Sequence, residues 1–125
     1  MIKIYSILIL TLILNACNSS DDDPIRPESI LGSWTAQITV PPDPTAVNSY
    51  TFSGSESAGA FIDQNQHSGT WTITNDSIEW IYENVPGLNN TFKGKINATF
   101  TSMSGINFGT WQNRDFEGTW VATKN

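Results

Sequence analysis

Residues 69–83 read GTWTITNDSIEWIYE, and this stretch decides the fold. Within each half, the apolar side chains recur at every second residue, namely Trp71 and Ile73, then Ile78, Trp80 and Tyr82. Side chains two residues apart along a β-strand point to the same face of the sheet. The intervening pair, Asn75-Asp76, has the length of a tight hairpin turn. The stretch therefore predicts two consecutive antiparallel strands, each with one apolar face.

The same period continues on both sides of this hairpin and indicates about eight strands. The regular runs are Leu31–Val40, Gly69–Thr74, Ser77–Glu83, Thr91–Thr101 and Phe116–Thr123, and the less regular ones are Ser49–Ser55, Ala58–Asp63 and Met103–Thr110. Consecutive short strands with one apolar face each favour an all-β fold, a small antiparallel up-and-down β-barrel. A β-sandwich is the alternative architecture.

A Gly-x-Trp unit recurs along these strands. It occurs at Gly32 and Trp34, Gly69 and Trp71, Gly109 and Trp111, and Gly118 and Trp120. Glycine lets a strand bend sharply at a barrel corner, and the tryptophan two positions later points to the same face. We therefore expect a structural role for the units that begin at Gly32, Gly69 and Gly118.

On these residues the chain resembles the lipocalin-like, calycin-type small β-barrel lipoproteins of Bacteroidetes. The resemblance is carried by Gly32-Ser33-Trp34, Ser68–Ile73, Ile96–Phe100, Met103-Ser104-Gly105 and Gly118–Ala122. It implies a lipocalin-like barrel domain over residues 30–125. Classical lipocalins place an arginine on the last strand against the first-strand tryptophan. The last predicted strand here offers only Lys124, and Arg114 is expected in the preceding turn, Asn113-Arg114-Asp115.

The N-terminal segment predicts lipid attachment. Lys3 precedes an apolar run from Ile4 to Leu14, which is shorter than the ~20 residues of a spanning helix and has the size of a signal-peptide hydrophobic region. The run ends in Leu14-Asn15-Ala16-Cys17, which resembles the bacterial lipobox. That resemblance implies cleavage before Cys17 and acylation of this cysteine, with palmitate among the acyl chains. We expect a signal peptide over residues 1–16 and a membrane anchor at Cys17.

Residues 17–29 are expected to form an acidic tether that lies outside the fold. Ser20 and the three aspartates that follow it resemble the export signal that sends Bacteroidetes lipoproteins to the outer face of the outer membrane. The alternative interpretation is a solvated spacer. Pro24 and Pro27 favour an extended, semi-stiff chain. We therefore expect a protein that is lipid-anchored in the outer membrane of a bacterial cell envelope and exposed at the cell surface.

Composition excludes several classes of function. The net charge of −6 argues against nucleic-acid binding, which needs a basic face. Cys17 and His67 are the only cysteine and histidine, so cysteine clusters and multi-histidine metal sites are excluded, and no cofactor is expected. Glu79 and Glu83 share a strand face and could act as acid and base, but solvent-side charges explain them better. We therefore expect that the protein is not an enzyme.

Nearly all of the aromatic residues lie in the barrel domain, where most should fill the core. We expect Trp80 and Tyr82 to line an open mouth that forms a small pocket. The leading hypothesis is a surface-anchored, non-catalytic binding module for a small apolar or glycan-like ligand. The alternative is a protein-interaction or inhibitor module with a filled barrel, whose loops Pro41–Ala46 and Glu83–Asn90 contact a surface protein partner.

Overall fold

The computed structural model describes residues 29–125 and shows a closed β-barrel. Its strands are β1 (Gly32–Thr39), β2 (Ala46–Gly54), β3 (Ala58–Asp63), β4 (Ser68–Thr74), β5 (Ser77–Glu83), β6 (Leu88–Ile96), β7 (Ser102–Trp111) and β8 (Arg114–Lys124). Each strand pairs antiparallel with the next, and β1 also pairs with β8. The predicted all-β up-and-down barrel is therefore confirmed, and the β-sandwich alternative is wrong. The expected signal peptide and Cys17 lie outside the described residues.

The pairing of β1 with β8 closes the sheet without a free edge. The register runs from Trp34 opposite Lys124 to Thr39 opposite Thr119. Beside this seam, Lys124 Nζ donates a hydrogen bond to the Ser29 carbonyl oxygen at 2.6 Å. A closed barrel satisfies the backbone of every strand internally. All of these strand pairs lie within residues 32–124, so the barrel domain can fold by itself.

The three tryptophans of the predicted structural units are buried in the core. Each indole N–H donates to a backbone carbonyl oxygen: Trp34 to Ile30 at 2.7 Å, Trp71 to Ala60 at 3.0 Å, and Trp120 to Ile106 at 2.8 Å. A buried N–H with a partner avoids the cost of an unsatisfied donor. At Gly69, a Cβ would lie 1.9 Å from the Ile81 carbonyl oxygen, so the backbone approach requires glycine there. These contacts fit the structural role expected of the units.

One strand is shorter than the alternating pattern predicts. The run Thr91–Thr101 was expected to be continuous, but β6 ends before Asn97. There the Asn97 Oδ1 accepts hydrogen bonds from the backbone N–H groups of Thr101, at 2.9 Å, and Ser102, at 3.1 Å. Phe100 adopts a φ of 54° within the same turn. Local bonds from an asparagine side chain to the backbone have thus replaced the ladder at this point.

Two connections at the opposite end are also shorter than expected. The β7–β8 turn consists of Gln112 and Asn113, both with positive φ, and not of residues 113–115. The β5–β6 loop spans only residues 84–87, because Leu88 already begins β6. As a result, β6, β7 and β8 extend further at this end. The ladder there continues through Leu88 opposite Trp111 and Trp111 opposite Arg114; we refer to these three residues as the rim.

Candidate ligand-binding site

One end of the barrel encloses a cup of about 430 Å³. This end carries the β1–β2, β3–β4, β5–β6 and β7–β8 connections. Ile38, Tyr50, Tyr82 and Phe92 contribute to its wall, and the rim surrounds part of its opening. Protein cavities that hold small molecules measure roughly 300–1,000 Å³. An eight-stranded barrel is also just wide enough to hold one small ligand, so the cup has the dimensions of a ligand site.

Trp80 lies in the packed core and not at the mouth, where the sequence pattern placed it. Its side chain is 0% exposed and does not line the cup. Its ring stacks on Phe92 with centroids 4.6 Å apart and planes at 10°, and it meets Trp120 edge-on at 4.5 Å. Alternation along a strand distinguishes inside from outside, but it does not give depth along the barrel axis. Trp80 therefore packs against the wall residue Phe92 on the side away from the cup.

Tyr82 does line the cup, as expected, and it is part of a hydrogen-bonded chain. Its hydroxyl donates to Asp63 Oδ2 at 2.9 Å and lies 3.0 Å from the Tyr50 hydroxyl. Asn48 Nδ2 donates to the Tyr50 hydroxyl at 3.3 Å. Because a phenol has a single proton, the chain runs from Asn48 through Tyr50 and Tyr82 to the carboxylate. These hydrogen bonds hold the side chains of Tyr50 and Tyr82 in fixed positions on the wall of the cup.

Both phenols of this chain stay protonated at neutral pH. Burial raises the pKa of Tyr50 above its usual value. Burial raises the pKa of Tyr82 as well, and the neighbouring Tyr50 and Asp63 raise it further. Removal of charge from water disfavours the ionised phenolate in each case. The two tyrosines thus act as fixed, neutral hydrogen-bonding groups.

Asp63 connects this chain to the β3–β4 turn. Its Oδ1 accepts hydrogen bonds from the backbone N–H groups of Asn65, at 2.8 Å, and His67, at 3.0 Å. The same carboxylate lies 3.7 Å from the His67 Nδ1, whose side chain is half-exposed at the edge of the cup. An aspartate that accepts backbone N–H groups two and four residues later stabilises a tight turn. Asp63 is therefore buried but fully paired.

Two asparagines on the wall lack hydrogen-bond partners, and we call them the amide pair. Asn107 is 1% exposed, and neither its Nδ2 nor its Oδ1 has a partner among residues 29–125. Asn90 Oδ1 is also buried without a partner in this part of the chain. The Trp80 indole N–H shares this property, but only the two asparagines line the cup. Since buried polar groups are almost always paired, the amide pair needs an explanation.

Asn107 packs closely against a glycine of the adjacent strand β8. Asn107 stands opposite Gly118 in the ladder, and Gly109 follows two residues later on the same strand face. A Cβ on Gly118 would lie 2.7 Å from Asn107 Oδ1 and 2.4 Å from the Thr39 carbonyl oxygen. The Asn107 side chain therefore packs directly against the Gly118 backbone, and a larger residue at position 118 would displace it.

The opening of the cup presents the aromatic surface of the rim together with charges of both signs. Trp111 is 48% exposed although it ends β7 at an inward-facing position. Arg114 stands opposite it in the ladder, and Asp115 and the β1–β2 loop residue Asp43 also line the cup. The Gln112 N–H donates to the Gly87 carbonyl oxygen at 2.9 Å, which ties the two loops of this end together. A ligand that enters the cup would pass this surface.

Glu79 and Glu83 have outward partners and lie away from the cup. Glu79 Oε2 is 3.5 Å from Lys93 Nζ, and Glu83 Oε1 accepts a hydrogen bond from Thr70 Oγ1 at 3.2 Å. Both residues are therefore solvent-side charges, as their strand positions predict. Within residues 29–125, no cluster of three or more histidine, cysteine, aspartate or glutamate side chains is placed to hold a metal ion.

Sequence reasoning missed the amide pair and the rim tryptophan. The signal was present, since Asn107 falls in phase with the buried Met103 of the same strand and interrupts an apolar face. A polar residue at an inward position requires a partner or a function. The sequence identifies Trp111 only as a member of a repeated unit, whereas its position at the end of β7 leaves it exposed.

Comparisons with known proteins do not assign the chain to a family. No family model matches the chain, and no curated protein is significantly similar to it. The resemblance to lipocalin-like lipoproteins thus stays a prediction. None of the residues from 29 onward forms a helix with the length and apolarity needed to cross a membrane.

Proposed function

We propose that the barrel is a non-catalytic binding module that holds one small ligand in the cup. The observation that carries this proposal is the amide of Asn107, which is buried beside the cup and has no partner among the described residues. A buried amide without partners destabilises a fold by about 1–3 kcal/mol. A ligand that supplies the missing hydrogen bonds would offset this cost. Ligand binding would therefore explain why an asparagine is buried at this position.

The lining favours a ligand with both an apolar surface and hydrogen-bonding groups. Ile38, Leu88 and Phe92 supply apolar surface, and the amide pair supplies donors and acceptors. Such a mixture is typical of small-molecule sites, in which a few polar groups fix the orientation of the ligand. The phenols of the wall are neutral and paired, so they fit a role in shaping the site better than one in catalysis.

The proposal includes attachment to the outer membrane through acylated Cys17. It rests on the apolar run, the lipobox and the acidic residues that follow it. Two or more acyl chains give a durable anchor, whereas one chain binds a membrane only marginally. An extended tether over residues 17–29 would hold the cup clear of the lipid head groups and accessible to ligands outside the cell.

Native mass spectrometry of residues 24–125 tests the binding function. The domain is incubated with small-molecule extracts of bacterial envelopes and of growth medium. We expect a defined added mass that is lost on denaturation. The variant Asn90→Trp, which places a large side chain in the cup, should not carry this mass. The matched control, Asn89→Trp on the outer face of the same strand, should retain it. A bare mass for the parent domain would contradict the proposal.

The competing function is that of a protein-interaction or inhibitor module. The Pro41–Ala46 loop and the 84–87 loop lie at the cup end of the barrel, and the exposed Trp111 lies beside them. A protein partner would then cover the cup. Under this hypothesis, replacement of residues 41–45 by a short glycine-containing turn removes capture of the partner. The same change removes Asp43 from the opening but keeps the deeper lining at Tyr82, Phe92 and Asn107, so the mass of a small ligand stays bound if the cup is the functional site.

A further inference from the structure

The lining of the cup narrows the class of ligand, provided that the cup binds a small molecule as proposed. We infer that the cup selects an uncharged pyranose sugar. In this arrangement the amide pair binds neighbouring ring hydroxyls, and Trp111 packs against the face of the ring. Asn90 and Asn107 are thereby the residues that determine specificity.

The amide pair matches hydroxyl groups better than charged groups. Each carboxamide offers two N–H donors and one carbonyl acceptor, and a hydroxyl both donates and accepts. Asn90 stands opposite Gly109, two residues from Asn107 on the adjacent strand, so the two side chains are diagonal neighbours. Adjacent hydroxyls can therefore pair with both amides. A carboxylate has no donor for the carbonyl oxygens of the amide pair. An ammonium group has no acceptor for their N–H groups.

The charges around the cup disfavour an anionic ligand, and the one buried carboxylate is not free to pair with a cation. The lining contains three carboxylates, those of Asp43, Asp63 and Asp115, against the one guanidinium of Arg114. An anionic ligand would meet a net negative surface. A cationic ligand would find that the buried Asp63 is already occupied by Tyr82 and by backbone N–H groups. An uncharged ligand avoids both costs.

Trp111 supplies the surface that a sugar ring requires. Its indole is about half exposed at an inward-facing position at the edge of the cup. The face of an aromatic ring carries partial negative charge and attracts positively polarised groups such as the axial C–H bonds of a pyranose. Trp111 and Asn107 lie on the same face of β7 and both line the cup, so a ring packed on the indole lies on the side of the barrel that carries the amide pair.

Calorimetric titration of residues 24–125 tests this inference. The probes are the methyl glycosides of the common neutral hexopyranoses and N-acetylhexosamines. Methyl glucuronide serves as the charged probe, and 2-methoxytetrahydropyran, which has the same ring without hydroxyls, serves as the apolar probe. We expect at least one neutral glycoside to bind, and to bind at least about tenfold more tightly than either of the other two.

The variants locate the contacts. Asn107→Leu keeps the branched shape of the side chain and should weaken glycoside binding by about tenfold or more, without weakening binding of the apolar probe. Trp111→Ala should also weaken glycoside binding. Phe108→Ala removes an exposed aromatic ring from the outer face of the same strand and should have no effect.

Each outcome has a defined meaning. Equal or tighter binding of 2-methoxytetrahydropyran would overturn the sugar class but leave the cup as a ligand site. Unchanged glycoside affinity in Asn107→Leu would overturn the assigned contacts. If no glycoside binds while native mass spectrometry shows a bound small molecule, only the ligand class fails. If neither experiment shows a ligand, the proposed function fails with it.

Discussion

Replacement of Asn107 by leucine should stabilise the barrel, although it removes a polar side chain that lines the cup. Leucine has nearly the shape of asparagine, with two groups branching from Cγ, so the change introduces no large cavity or overlap. Both polar atoms of the asparagine are buried without a partner within residues 29–125. The substitution therefore removes an unsatisfied amide and adds apolar surface to the core.

The size of this effect follows from the cost of the buried amide. An unsatisfied buried polar group costs about 1–3 kcal/mol, so the free energy of unfolding should rise by about this amount. Urea lowers the stability of small domains by roughly 1–3 kcal/mol per molar, so the unfolding midpoint should increase by about 1 M. Functional residues often reduce stability, and their replacement by core residues recovers it.

Equilibrium urea unfolding, followed by tryptophan fluorescence, measures this change. Asn48→Leu is the matched control, because Asn48 also lines the cup but its amide is bonded to Tyr50 and Gln64. Loss of those bonds should lower stability by about 0.5–1.5 kcal/mol. An Asn107→Leu variant that is no more stable than the parent would refute the argument, because the amide would then have partners in solution.

Three further predictions concern the core, the phenols and the anchor. Trp80→Ala should cost about 3–5 kcal/mol in a thermal melt, since the side chain is fully buried; a small loss would return Trp80 to the ligand site. Tyr50 and Tyr82 are the only tyrosines of residues 24–125, and both have a raised pKa. Their contribution to stability is therefore complete below the unfolded tyrosine pKa of about 10 and is lost as the pH rises beyond it. Ultraviolet absorbance should show tyrosinate only as the barrel unfolds, and its appearance in a folded barrel near pH 10 would count against the buried network. Cys17→Ser should abolish labelling by an alkyne palmitate and release the protein from membranes, whereas continued labelling would exclude the anchor.

Strand periodicity predicted the architecture because inside and outside alternate along each strand. The hairpin was the most accurate part, since β5 matches the predicted Ser77–Glu83 and β4 differs by only one residue, Ser68. Boundaries failed where side chains bond to the backbone, as at Asn97, or where non-glycine residues adopt positive φ, as at Gln112. Those choices depend on local hydrogen bonds that hydrophobic periodicity does not contain.

The site was less predictable than the fold. Tyr82 was placed in the lining correctly, whereas Trp80, two residues earlier on the same face, belongs to the core. Their difference is one of depth along the barrel axis, which depends on strand stagger and not on periodicity. The amide of Asn107 could be recognised as unpaired only once the neighbouring strands were in register, opposite Phe92 and Gly118.

The most direct test of the cup as a sugar site is nuclear magnetic resonance of the side-chain amide groups during titration with the tightest-binding methyl glycoside. The Nδ2 resonances of Asn90 and Asn107, assigned from the substituted variants, should shift and saturate together. The Asn89 resonance, on the outer face of the same strand as Asn90, should stay in place. Shifts confined to outer-face residues, with the amide pair unmoved at saturation, would contradict the account.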